Sequence, residues 1–127
     1  MRRFVKTHEI DAQTVDRNHG GKGVIQFRRL LTGKDFAGPI EFVDFTVIPP
    51  GSTISIHRHD RNEEIYLIAA GRPRVAVDGE ETQLERGSIA VVHSGQTHQL
   101  LNDTSDDVEI FVVQVALEKN SLTTRQT

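Results

Sequence analysis

Three histidines and a pair of acids are the residues of this chain whose types and spacing could do chemistry. His57 and His59 are one residue apart, Glu63 and Glu64 follow closely, and His98 lies far downstream. Imidazole nitrogens and a carboxylate can close around a first-row divalent ion and leave positions open for substrate or water. On a strand, His57 and His59 project from the same face about 7 Å apart, a spacing that suits two ligands of one ion. Ser55 shares that face, and Ile54 and Ile56 are expected to turn the other way into an apolar layer. Asp60-Arg61-Asn62 reads as a turn, after which a strand beginning at Glu63 or Glu64 brings a carboxylate back beside the two histidines. On that returning strand Glu64, Tyr66, Ile68 and Ala70 share a face, which sets Tyr66 near whatever Glu64 binds. Spacing alone does not bring His98 to the others; the fold must do that.

The elements that would position these groups are strands. Val24–Leu31, Ile40–Ile48, Glu64–Ala70, Arg74–Val77, Ile89–Val92, His98–Asn102 and Val108–Val115 are short runs rich in β-branched or aromatic residues. Turn formers separate them: Pro49-Pro50-Gly51, Gly71-Arg72-Pro73, Asp78-Gly79, Gly87, Gly95 and Asn102-Asp103. Asp78-Gly79 is a tight-hairpin signal, because both residues tolerate positive φ. No window shows helical spacing, so the pattern predicts an all-β sandwich or barrel in one domain. Residues 1–20 are read as an N-terminal arm, 21–117 as the β-barrel and 118–127 as a polar C-terminal tail.

Composition narrows the function classes. The 127 residues carry 15 Lys and Arg against 18 Asp and Glu, a formal charge of −3. The excess of acid argues against nucleic acid as a partner, although residues 1–35 alone are basic. There is no cysteine, which removes disulfides and thiolate ligands. The N-terminus lacks the apolar stretch of a signal peptide, and no apolar run is long enough to cross a bilayer. A cytoplasmic protein with no membrane partner is the expectation. His19-Gly20-Gly21-Lys22-Gly23 neither follows a strand nor opens a helix, so it is not read as a phosphate-binding loop.

The two histidine-bearing segments resemble the paired motifs of the cupin superfamily. In the first, Gly51, His57, His59, Glu64 and Gly71 fit at every position, and the six residues between Glu64 and Gly71 select Glu64 over Glu63. In the second, Gly87, Gly95, His98 and Asn102 fit, but His93 stands where the motif has proline. The resemblance implies an antiparallel β-barrel of jelly-roll type with one divalent ion held inside by His57, His59, Glu64 and His98. The His93 departure removes no ligand and puts a further imidazole near the pocket rim.

Three neutral nitrogens and one anionic oxygen admit Mn, Fe, Ni, Co, Cu or Zn. With four protein ligands, an octahedral ion keeps two positions for a bidentate 2-oxo acid or enediol. The expected function is metal-dependent chemistry on a small oxygenated, carboxylate-bearing metabolite, by decarboxylation or a related enolate-forming step. A cupin dioxygenase and a non-catalytic small-molecule-binding module are the alternatives. Tyr66 is the candidate proton or hydrogen-bond donor to substrate. On the strand from Val24, either Arg28 or Arg29 must approach the cavity, and Arg28, with Gln26 on the more polar face, is the expected substrate-binding pair. The resemblance also implies a homodimer, formed through the N-terminal strands.

Overall fold

The computed structural model describes residues 3–17, 20–58 and 60–117, without the side chains of residues 55–57. Among the described residues ten strands, numbered in chain order, make two antiparallel sheets. The first sheet has the order β1 (Gln13–Asp16), β2 (Val24–Thr32), β3 (Ile40–Ile48), β10 (Val108–Ala116), β5 (Asn62–Ala70) and β8 (Ile89–Val92). The second has the order β4 (Thr53–Arg58), β9 (Thr97–Leu101), β6 (Arg74–Val77) and β7 (Glu80–Gln83). This is the expected all-β jelly roll. Among the described residues helix is limited to short 3-10 segments, Thr7–Glu9 and Gly33–Asp35 among them, and none is long or apolar enough to cross a membrane.

Alternation builds the core. On β5 the buried positions are Glu64, Tyr66 and Ile68, and on β10 they are Val108, Ile110 and Val112. From the other sheet Ile54, Val75 and Leu100 meet them. Each such aliphatic side chain contributes about 2 kcal/mol by leaving water. The Asp78-Gly79 turn joins β6 to β7 with φ of 47° and 81°, the left-handed pair that a primed hairpin turn needs.

Bulges reset the alternation at two places that matter for the site. β4 slips register against β9 between Ile54 and His57. Ile54 consequently lines the interior cavity instead of turning away from it. β2 slips against β3 between Arg29 and Leu31, and Leu30 takes the buried position beyond Arg29. Neither irregularity has a glycine or proline inside the strand to announce it. Two strands were also missing from the sequence pattern. β1 lies inside the 1–20 arm, and β7 buries none of its four residues. Residues 118–127 lie outside the described residues.

Asn102, the last residue of the second motif, ties the two sheets' connections together. Fully buried, its Nδ2 donates to the carbonyls of Ile48 and Asp106 at 2.8 Å each. Its Oδ1 accepts from the backbone N–H and hydroxyl of Thr104 at 3.0 and 2.6 Å. Both N–H groups and both oxygen lone pairs of this buried side-chain amide are therefore met by neighbours.

Candidate metal centre

Glu64 and His98 come from opposite sheets and meet in the interior. Glu64 sits on β5 between Gln114 of β10 and Val92 of β8; His98 sits on β9 between His57 of β4 and Val77 of β6. Both are buried, and His98 Nε2 lies 3.6 Å from Glu64 Oε1. Two ligands about 2.1 Å from one ion and adjacent in its coordination shell lie roughly 3–3.5 Å apart, so this spacing suits a shared cation.

The third expected ligand, His57, is the direct register partner of His98 on the neighbouring strand, though its side chain is not among those described. His59 lies outside the described residues altogether. With those two left aside, no group of three or more His, Cys, Asp or Glu able to hold a metal occurs among the described residues. What is described is therefore half of the expected donor set, one anionic oxygen and one imidazole nitrogen.

Tyr66 stands where strand alternation put it. Its hydroxyl donates to Glu64 Oε1 at 2.6 Å, and its ring lies 5.5 Å from the His98 ring at a tilt of 53°. Burial pushes the phenol well above its ordinary range, and the Glu64 carboxylate adds to the effect. Tyr66 thus keeps its proton near neutrality and acts as a hydrogen-bond donor.

An open cavity of about 280 Å³ lies over these groups. Glu64, Tyr66 and His98 form one side of it, and Arg29, Asp44 and Thr46 contribute polar atoms from β2 and β3. Ligand pockets are on the order of 300–1,000 Å³, so this one is sized for a small metabolite.

The cavity's arginine is not the expected one. Ile25, Phe27 and Arg29 are the β2 residues that face inward; Gln26 and Arg28 are on the opposite face. Arg28 Nε donates to the Ile10 carbonyl at 2.9 Å, clasping the N-terminal segment to the outside of β2. Sequence polarity favoured the wrong face, because Arg29 is neutralised inside by a residue fifteen positions downstream in the chain. Its Nε and Nη2 bind the two carboxylate oxygens of Asp44 at 2.8 and 2.9 Å. The guanidinium also lies over the Phe42 ring, 4.2 Å from its centre. The bond to Asp44 raises the Arg29 pKa further, so the charge is permanent. Asp44, nearly fully buried, is the functional candidate that sequence reading missed: an acid at the centre of the apolar β3 run was its only signal.

His93 does not approach this cavity. Its Nδ1 pairs with Glu63 Oε2 at 2.5 Å on the exposed side of the molecule, and its backbone N–H donates to Gln96 Oε1 at 2.8 Å. Glu63 and Glu64, adjacent in sequence, therefore face opposite ways, one to a surface histidine and the other to the interior.

Comparison with known proteins gives a consistent picture. A family model described as "Cupin domain" matches residues 44–114. An "Oxalate-binding protein" of Thermotoga maritima is 26% identical over 113 residues, covering 89% of this chain and 93% of that protein. "Polyketide synthase CurC" of Streptomyces cyaneus is 25% identical over 114 residues, covering 89% and 73%. The crystal structure of a "predicted oxalate decarboxylase" from Thermotoga maritima superposes with a TM-score of 0.87 at 26% identity, covering 91% of this chain and all of that one.

Proposed function

The chain belongs to the cupin family, and we propose that within it this protein is a metal-dependent enzyme of small carboxylate-bearing metabolites, working by decarboxylation or a related enolate-forming step. The observation that carries this reading is the convergence of Glu64 and His98 from opposite sheets, 3.6 Å apart at one side of a small cavity. His57, paired in register with His98, and His59 would complete the ligand set around one divalent ion.

When bound, such an ion supplies Lewis-acid stabilisation to the oxygens of a chelating substrate. The protein's own residues do the rest. Tyr66, held protonated by burial, orients Glu64 through the 2.6 Å bond and keeps a proton within the cavity wall. Ile25, Ile54 and Val112 line the cavity with apolar surface, which strengthens electrostatic interactions there. Binding without turnover is the second reading, and the name of the Thermotoga maritima relative favours it.

One experiment separates these. Protein stripped with a chelator and reconstituted with Mn²⁺, Ni²⁺ or Zn²⁺ is expected to retain about one ion per chain and to bind oxalate calorimetrically only when loaded. Oxygen-independent CO₂ release from 2-oxo acids would select decarboxylation, oxygen uptake would select dioxygenase chemistry, and binding alone the non-catalytic module. Failure to retain any of the three ions would sink the metal reading.

A homodimer accords with this assignment. β8 is an edge strand, and its exposed Ile89 and Val91 adjoin the exposed Leu67 of β5 on the outer face. An exposed apolar edge of this kind, short as it is, invites pairing with a second copy. Light scattering is expected to give twice the 14.2 kDa chain mass, and Val91→Glu to return it to the monomer value. A wild-type monomer at micromolar concentration would exclude the dimer.

A further inference from the structure

We infer that Arg29, braced by Asp44, is the specificity-determining residue at the cavity mouth, and that the substrate carries a second anionic group at the end remote from its chelating head. The inference rests on the metal-chelate reading above and deepens it.

The geometry begins with register. Arg29, Asp44, Val112 and Tyr66 are successive cross-strand partners on β2, β3, β10 and β5, so they form one row across the interior face. Tyr66 and its neighbour Glu64 end that row at the candidate metal centre. Arg29 starts it, three strand spacings away, about 14 Å between backbones. Its guanidinium turns back over β3, onto Asp44 and Phe42, which shortens the gap. Between the two polar ends, the row is floored by Val112, an apolar residue that offers no competing hydrogen bond.

The pairing leaves the guanidinium with donors to spare. Of its five N–H groups, bonds to Asp44 use one on Nε and one on Nη2. The side chain keeps 41% of its surface exposed, whereas the Asp44 side chain keeps 9%, so the cation faces the mouth and the anion lies beneath it. An ion pair in this position is costly to desolvate and adds little stability over two apolar residues. What it does provide is a cation fixed in orientation by a bidentate brace and an aromatic wall, ready for planar recognition of a carboxylate. The volume points the same way. A cavity of about 280 Å³ is that of roughly nine waters, which exceeds what a two-carbon dianion fills. The ligand class is therefore a 2-oxo diacid longer than oxalate.

The test compares 2-oxoglutarate with 2-oxopentanoate, which has the same chain length but no distal carboxylate, by calorimetry on Mn²⁺-reconstituted protein. Wild type is expected to prefer the diacid by roughly 10- to 100-fold, the worth of a charged hydrogen-bonded contact. Arg29→Ala alone would strand the buried Asp44, so the variant is Arg29→Gln with Asp44→Asn, which keeps shape and hydrogen bonding without charge. It should bring the preference within about threefold, and Arg29→Lys, which keeps charge but loses the fork, should fall between. Equal affinity of wild type for the two acids, or an unchanged preference in the double variant, would overturn this inference alone. No binding of either acid or of oxalate would overturn the chelate reading and take this inference with it.

Discussion

Glu64→Gln is expected to weaken divalent-metal affinity by roughly 100-fold or more, beyond the 10- to 100-fold loss typical when only a ligand's supporting partner is removed. The substitution is nearly isosteric and retains an oxygen that can accept the Tyr66 hydroxyl, so packing against His98 is preserved. Only the negative charge leaves. A neutral amide is a poor ligand for a hard or borderline cation, and its loss of charge should not unsettle the metal-free fold, because a buried carboxylate is itself expensive to desolvate. Competition with a chromogenic chelator measures the affinity, and the thermal midpoint of the stripped protein serves as the control for folding. Glu63→Gln is the sharper control: Glu63 pairs with His93 on the exposed side and should leave metal affinity unchanged. Equal metal affinity for wild type and Glu64→Gln would remove Glu64 from the centre.

The contrast between those two adjacent acids shows what the sequence carried and what it did not. Period-two alternation on β5 was sufficient to put Glu64, Tyr66 and Ile68 on one interior face, because the pairing with β10 runs without a shift from Asn62 to Ile68. Strands β3, β6 and β8 likewise begin and end where their apolar runs do, since turn residues bound them on both sides. Bulges broke the same reasoning elsewhere. The slip between Ile54 and His57 turned Ile54 into the cavity, and no residue type marks it, since β4 holds neither glycine nor proline. β7 was invisible for a different reason: with every residue exposed, it has no burial pattern and exists through the Asp78-Gly79 turn and pairing with β6. The choice between Arg28 and Arg29 failed because polarity of the neighbours was used to decide it. A buried arginine is placed by its counter-charge, and Asp44 is remote in sequence and adjacent only across the β2–β3 pair.

Gly71→Ala should destabilise the fold by about 4 kcal/mol, at the exceptional end for a single substitution. Gly71 adopts φ of 82°, which costs an alanine about 1–2 kcal/mol on its own. The larger part is steric. A Cβ there would stand 2.5 Å from the Asp107 carbonyl oxygen and 2.8 Å from the Val108 Cα, both backbone atoms that cannot rotate away. Relief requires moving the start of β10, the strand that pairs with both β3 and β5 and forms the middle of the larger sheet. The same pairing aligns Gln114 opposite Glu64, so a shift at Val108 propagates to the candidate metal centre. The expected reading is a thermal midpoint lowered by about 15 °C, with metal affinity reduced in the fraction that still folds. Gly87→Ala supplies the comparison inside the same protein. Gly87 has φ of 88° but nothing within 4 Å of its would-be Cβ, so it should show the conformational cost alone. If the two glycine variants melt together, the close approach of β5's end to Asp107 is not what fixes this register. If Gly71→Ala falls well below Gly87→Ala, the spacing that singled out Glu64 is held by a backbone contact that only glycine allows.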